Sequence, residues 1–205
     1  MTSTDKPQIG VLISGRGSNL QALLDASRLG ALRATVRVVI SNRPGAYGLE
    51  RARAAGVEAL EMPHRDFASR DAYDTALAEA LTSRGVRFVC LAGFMRLLGA
   101  GFCRAFPNAI VNIHPSLLPA FPGVDAQAQA LAHGVRVSGA TVHLVTPELD
   151  AGPIVAQAAV PVHETDDEAA LSARILTVEH AIYPAAVDRL LHARWQIHGR
   201  RVRFE

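Results

Sequence analysis

The chain has 205 residues, 49% hydrophobic and 20% charged, with a formal net charge of +2, a balance that excludes a disordered chain and gives no electrostatic footprint for nucleic acid. Cys90 and Cys103 are too few for a disulfide framework or a multi-thiolate zinc site. No apolar run is long enough to span a bilayer, and the polar start at residues 1–7 lacks the apolar core of a signal peptide, so the expected setting is the cytoplasm, without a membrane partner.

Residues 8–14 are a short apolar run ending in a glycine-rich turn, which predicts a strand. Leu20, Leu23, Leu24 and Ala26 lay a helical stripe along 18–29. The β-branched stretch 35–41 reads as a strand, 47–55 as a helix ending at Gly56, and 57–62 as a short strand. A long helix over 69–84 closes at Gly85, followed by an apolar strand at 86–92, a short helix at 97–105 and a strand at 109–114. This alternation predicts an α/β fold with a mostly parallel twisted sheet flanked by helices, Rossmann-like in its first half. Continuous apolar strands agree with burial on both faces.

The last third has a different rhythm. After a helix at 124–132, two strands at 138–146 and 153–162 follow each other across a turn-rich connector, which predicts an antiparallel pair. A long helix over 167–193 comes next, with Asp166 or Thr165 as its cap and Pro184 expected to kink or break it near Tyr183. Residues 195–204 suit a short hairpin around Gly199. The whole reads as one continuous domain, 1–205, with a mononucleotide-binding first half.

Three places carry chemistry. In Val111-Asn112-Ile113-His114-Pro115 an apolar strand delivers an amide and an imidazole two residues apart, on one face of the strand. That pair suits polarising a carbonyl and moving a proton; a capped strand end is the structural alternative. Ser14-Gly15-Arg16-Gly17-Ser18-Asn19 joins the first strand to the first helix, where free amides and glycines make an anion site for a single phosphate. Leu20 stands where a dinucleotide fingerprint needs its third glycine, so no NAD(P) is expected, and no Gly-Lys-Ser/Thr follows to make a P-loop. Here the alternative is a tight turn with glycines for geometry alone. Asp150 lies on the connector of the antiparallel pair; a carboxylate there is either a turn residue or an electrostatic partner that favours protonated His114.

The remaining candidates read blandly. His143 inside an apolar strand suits a hydrogen-bonded core histidine, and His180 a structural or supporting one. His64, His133, His163, His192 and His198 suit surface or loop positions, with His133 and Gly134 at a helix C-terminus. No pair has the spacing of a metal site, and no metal is expected. Neither cysteine has a flanking base, and Ser116 lacks a hydrolase elbow around it.

Leu12-Ile13-Ser14-Gly15-Arg16-Gly17-Ser18-Asn19-Leu20-Gln21-Ala22, Leu91-Ala92-Gly93-Phe94-Met95-Arg96, Asn112-Ile113-His114-Pro115-Ser116-Leu117-Leu118-Pro119, Glu148-Leu149-Asp150-Ala151-Gly152-Pro153 and Glu179-His180-Ala181-Ile182-Tyr183-Pro184 occur in this order. The set resembles the phosphoribosylglycinamide formyltransferases of the formyl-folate transferase family, over nearly the whole chain. The resemblance implies formyl transfer from 10-formyltetrahydrofolate, a co-substrate, to glycinamide ribonucleotide in purine biosynthesis. It implies a phosphate-binding half at about 8–108 and a catalytic, folate-binding half at about 109–193. Asn112, His114 and Asp150 match the family's catalytic trio. Gly17, Ser18 and Asn19 match its phosphate loop, and the stretch 176–179, Glu179 most directly, matches the ribonucleotide contact. Arg70, Met95, Arg96, Leu97, Leu98, Asn112, Thr146, Pro147, Glu148, Leu149 and Asp150 match positions that hold the folate, much of it by main chain. Some members carry histidines after the Pro-Gly that follows the catalytic loop. Here the stretch is Pro122-Gly123-Val124-Asp125-Ala126-Gln127, so no catalytic histidine is assigned there. A homodimer is compatible with the resemblance but not required by it.

The implied reaction is direct attack of the amine on the formyl carbon, with Asn112 and charged His114 stabilising the oxyanion and Asp150 supporting His114. Transfer to methionyl-tRNA, formyl hydrolysis, and a non-enzymatic nucleotide- or folate-binding module are the competing readings. The first would be expected to add a C-terminal RNA-binding domain and the second an N-terminal regulatory domain. Loss of the Asn–His–Asp set would favour the third, and all three residues are present.

Overall fold

The computed structural model describes residues 6–205; of the polar start read as lacking a signal peptide, positions 1–5 lie outside the described residues. The chain forms two compact units, one reaching to Val111 and one beginning at Asn112. The first contains β1 (Gln8–Ile13), α1 (Ser18–Leu29), β2 (Thr35–Ser41), α2 (Tyr47–Ala54), β3 (Glu58–Glu61), a single 3-10 turn (His64–Asp66), α3 (Arg70–Thr82), β4 (Phe88–Leu91), α4 (Ala100–Ala105) and the start of β5 (Ile110–His114). Its strand order is β3-β2-β1-β4-β5. β1 runs parallel to β2 and β4, and β2 parallel to β3. In register, Val11 faces Val39 on one side and Cys90 on the other, and all three are fully buried. This is why the strands are apolar without alternation: both faces are covered. Leu20, Leu23 and Leu24 bury one stripe of α1. Burying an aliphatic chain of this size contributes about 1.5–3 kcal/mol.

The second unit contains the rest of β5, α5 (Ala126–Ala132), β6 (Val137–Leu144), β7 (Ile154–Pro161), α6 (Glu168–His192), β8 (Trp195–His198) and β9 (Arg201–Phe204). Here the order is β5-β6-β7-β9-β8. The expected antiparallel pair is β6 and β7. The expected hairpin is β8 and β9, and it joins the sheet, with β9 parallel to β7. The architecture is therefore α/β, mostly parallel strands with an antiparallel pair, flanked by helices. No helix among the described residues is long and apolar enough to cross a membrane.

Three local expectations are corrected. The helix expected over 97–105 begins only at Ala100, with Gly99 as its cap, so Leu97 and Leu98 lie outside it. The cap of α6 is Asp167, which accepts from the Ala170 N–H at 2.8 Å. Asp166 instead accepts from both Arg174 terminal nitrogens and from the His163 N–H. The Arg174 hydrogen bonds hold its carboxyl well below the usual carboxylate range. Finally, of the kink or break expected near Tyr183, the break does not occur: α6 runs unbroken through Pro184. A proline in a helix interior costs about 3 kcal/mol. Tyr183, Pro184, Ala186, Val187 and Leu190 are all buried there, and burial of that many side chains outweighs one lost helical bond.

Candidate active site

The apolar residues Ile110, Val111 and Ile113 bury β5, and the two-residue period of the strand turns Asn112 and His114 to the same face. His114 is 4% exposed. Its Nε2 donates to the Phe121 carbonyl oxygen at 2.8 Å, and its Nδ1 lies 3.5 Å from Asp150 Oδ2. A carbonyl oxygen only accepts, so Nε2 carries a hydrogen. Nδ1 then meets the carboxylate favourably when it too is protonated, which is the imidazolium form.

Asp150 sits on the connector between β6 and β7, in the left-handed region at φ 48°. Its Oδ2 accepts from the Gly123 N–H at 2.8 Å, and its main-chain oxygen accepts from Arg200 Nη2 at 3.3 Å. The loop 122–127, which supplies no histidine, thus supplies an amide that fixes the carboxylate. The hairpin turn between β8 and β9 supplies a guanidinium to the same residue's main chain.

His143, read from the sequence as a core histidine, is buried and hydrogen-bonded, but it also belongs to the cluster. Its Nδ1 donates to the Leu144 carbonyl oxygen at 3.0 Å, and its Nε2 accepts from Asn112 Nδ2 at 3.2 Å. Burial holds its pKa below the ordinary histidine value; the Leu144 hydrogen bond and then the Asp150 charge oppose this. A neutral ring with its hydrogen on Nδ1 fits both contacts. One Asn112 amide hydrogen is thereby committed to His143, which locks the amide plane and leaves the second hydrogen for a ligand.

The phosphate-loop candidates lie in the first unit. Gly17 caps α1 in the left-handed conformation at φ 71°. A Cβ on it would stand 2.8 Å from the Gly48 Cα, so the turn needs glycine for conformation and for close approach. The Gly48 N–H donates to Gly15 O at 3.0 Å, and Arg51 Nε donates to Arg16 O at 2.9 Å. These bonds tie the turn to α2. Gly17, Ser18 and Asn19 follow one another into α1, at the helix end whose dipole favours an anion.

In the same unit, Met95 and Leu97 are exposed large apolar side chains and Leu98 is buried. The Arg96 guanidinium lies over the Tyr73 ring at 5.1 Å. Arg70 is half-exposed, its Nε 3.9 Å from Asp74 Oδ2. In the second unit, Pro147, Glu148 and Leu149 are exposed on the β6–β7 connector. Thr146 buries an Oγ1 that has no hydrogen-bond partner among the described residues. Glu179 is buried on α6. The structure brings Asn112, His114 and Asp150 together and adds His143, Gly123 and Arg200, which sequence reasoning did not connect to them. An interior histidine in a strand next to the connector was the available signal for His143; nothing local pointed to Gly123 or Arg200.

Comparisons with known proteins identify the family. A family model described as formyl transferase matches residues 7–187. The phosphoribosylglycinamide formyltransferase of Escherichia coli is 46% identical over 190 residues, which cover 93% of this chain and 90% of that protein. The trifunctional purine biosynthetic protein adenosine-3 of Drosophila melanogaster is 50% identical over 94% of this chain, but the chain spans only 14% of that protein's length. The crystal structure of glycinamide ribonucleotide transformylase 1 from Symbiobacterium toebii superposes with a TM-score of 0.96 at 57% identity, covering 98% of this chain and 95% of that one. With the match running through the Gly-rich turn before α1, β5 and the Asp150 connector, this chain belongs to the formyl transferase family.

Proposed function

We propose that this chain transfers the formyl group of 10-formyltetrahydrofolate to the amine of N1-(5-phospho-D-ribosyl)glycinamide, a step of de novo purine biosynthesis. The observation that carries the reading is the cluster of Asn112, buried His114 and Asp150 around the end of β5, inside the segment matched by the family. The names of the Escherichia coli and Symbiobacterium toebii relatives support the choice of acceptor.

In the proposed reaction the neutral amine attacks the formyl carbon, and the carbonyl oxygen becomes an oxyanion. The second Asn112 Nδ2 hydrogen and His114 Nδ1–H receive it; Nε2 of His114 is already committed to Phe121. The Asp150 carboxylate beside Nδ1 helps pass a proton from the amine to the folate nitrogen that leaves. The new carbon–nitrogen bond forms first, giving the tetrahedral oxyanion; as the oxyanion collapses back to a carbonyl, the bond to the protonated folate nitrogen breaks, and no enzyme nucleophile is needed. In the first unit Gly17, Ser18 and Asn19 hold the substrate phosphate by main chain at the start of α1; in the second unit Glu179 is the residue proposed to contact the ribonucleotide. Within the first unit Arg70, Met95, Arg96, Leu97 and Leu98 are the positions proposed to meet the folate, which suits the exposed apolar side chains of Met95 and Leu97; within the second unit they are Thr146, Pro147, Glu148 and Leu149, where the exposed apolar side chain is that of Leu149.

The test is to follow deformylation of 10-formyltetrahydrofolate with glycinamide ribonucleotide, with methionyl-tRNA and with neither. Turnover with the ribonucleotide alone is expected. Turnover only with the tRNA, or equally without any acceptor, would assign the chain to another branch of formyl-folate chemistry.

A further inference from the structure

Residues 95–99 connect β4 to α4 without regular structure, yet two buried side chains grip the segment's ends. At one end, the Met95 N–H donates to Ser14 Oγ at 2.8 Å, and Ser14 Oγ donates in turn to Asn42 Oδ1 at 2.6 Å. Ser14 is 6% exposed and Asn42 1%. At the other end, the Gly99 N–H donates to Asp74 Oδ2 at 2.7 Å. Asp74 is buried on α3, one turn after Arg70. The fit there is close: a Cβ on Gly99 would stand 2.8 Å from Asp74 Oδ2. Burial pushes the Asp74 carboxyl above its ordinary range, and the Gly99 amide pulls it back. Its second oxygen, Oδ1, has no hydrogen-bond partner among the described residues. A buried carboxylate kept at this cost, bonded to one main-chain amide, suits holding that amide in position.

We propose that Ser14 and Asp74 are positioning residues for the folate co-substrate, pinning the two ends of the 95–99 segment so that its main chain is preorganised for the pterin. This rests on the reading of Arg70 and residues 95–98 as folate-holding. A segment recognised through its main chain cannot be specified by its own side chains. Its shape has to come from outside, and these two bonds supply it. Preorganisation of this kind lowers the ordering cost of binding without touching the ligand. Asp74 also stands beside Arg70, so the same carboxylate orders a side chain and a main-chain segment assigned to one ligand.

Steady-state kinetics on the full chain, with each substrate varied in turn, test this. Asp74→Ala, Ser14→Ala and Gly99→Ala raise the KM for 10-formyltetrahydrofolate by about fivefold or more, the order expected from losing one hydrogen bond, and leave the KM for glycinamide ribonucleotide within about twofold. Asp74→Asn keeps an oxygen for the Gly99 amide and stays within about twofold of wild type for both. Circular dichroism identifies folded variants. Because the clamp has two ends and Gly99→Ala leaves Asp74 in place, one variant failing to fold leaves the others to decide. An unchanged folate KM in the folded variants, an equal rise in both KM values, or an Asp74→Asn variant as impaired as Asp74→Ala would overturn the clamp. If wild type neither transfers formyl nor binds tetrahydrofolate, the functional reading fails and the clamp with it. If wild type transfers while the variants keep its folate KM, the clamp alone fails.

Discussion

The turn that opens α1 and the cluster around Asp150 represent two ways of building a site. In the turn the groups proposed to meet the phosphate are main-chain amides, and the conformation rests on the side chains missing at Gly17 and Gly48. In the cluster the groups proposed to act are side chains, and each is held by a bond to a residue outside its own strand or connector: His114 by Phe121, Asp150 by Gly123 and Arg200, Asn112 by His143. A main-chain site is fixed once the local conformation is fixed. A side-chain site stays loose until the tertiary contacts close around it. The first should therefore respond to backbone changes and tolerate side-chain truncation, and the second the reverse.

The largest effect is expected in the cluster. His114→Ala should lower kcat by about 100- to 1000-fold, the loss seen when an oxyanion donor is removed, with the fold intact by circular dichroism. Near-normal turnover would remove His114 from the chemistry. Asp150→Asn keeps the size and a hydrogen-bond acceptor for Gly123 but loses the charge. Its kcat is expected to fall by about 100-fold, within the range for general acid–base groups. Near-normal turnover of Asp150→Asn would take its charge out of the chemistry.

The turn supplies the counter-test. Gly17→Ala puts a Cβ in the left-handed region and against Gly48, so the KM for the ribonucleotide should rise by about tenfold while kcat changes little. Ser18→Ala should change that KM by only about twofold, since the helix amide remains. If the serine mattered more than the glycine, the turn would be a side-chain site and the contrast would dissolve.

The smallest effect concerns stability. Burial depresses the pKa of His143 in the folded state, so between that value and the unfolded one, about 6.5, the unfolded chain binds more protons. The contribution is thus fully present above about pH 6.5 and is lost as pH falls towards the folded pKa. Denaturant midpoints measured from pH 7.5 down to 5 should fall more steeply for wild type than for His143→Gln, whose amide does not titrate. Parallel slopes would mean that His143 does not report the burial of the cluster.

Much of this molecule is written locally. The alternation of strands and helices follows from periodicity within windows of about ten residues, and the predicted strand at 35–41 and helix at 18–29 coincide with β2 and α1. The Gly-rich turn is legible because glycine is the residue that its φ demands. The Asn112–His114 pair is legible because a strand's two-residue period is independent of context. The tertiary structure decided what joins them. His143 is 31 residues from Asn112, Gly123 is 27 from Asp150, and Arg200 is 50 from Asp150, and no local pattern encodes such partners. The same holds for α6: propensity alone ends the helix at Tyr183, and the burial of its neighbours carries it through Pro184. Short-range sterics and periodicity set where the chemical groups sit along the chain, whereas their orientation, charge state and packing depend on through-space contacts that exist only once the chain has folded.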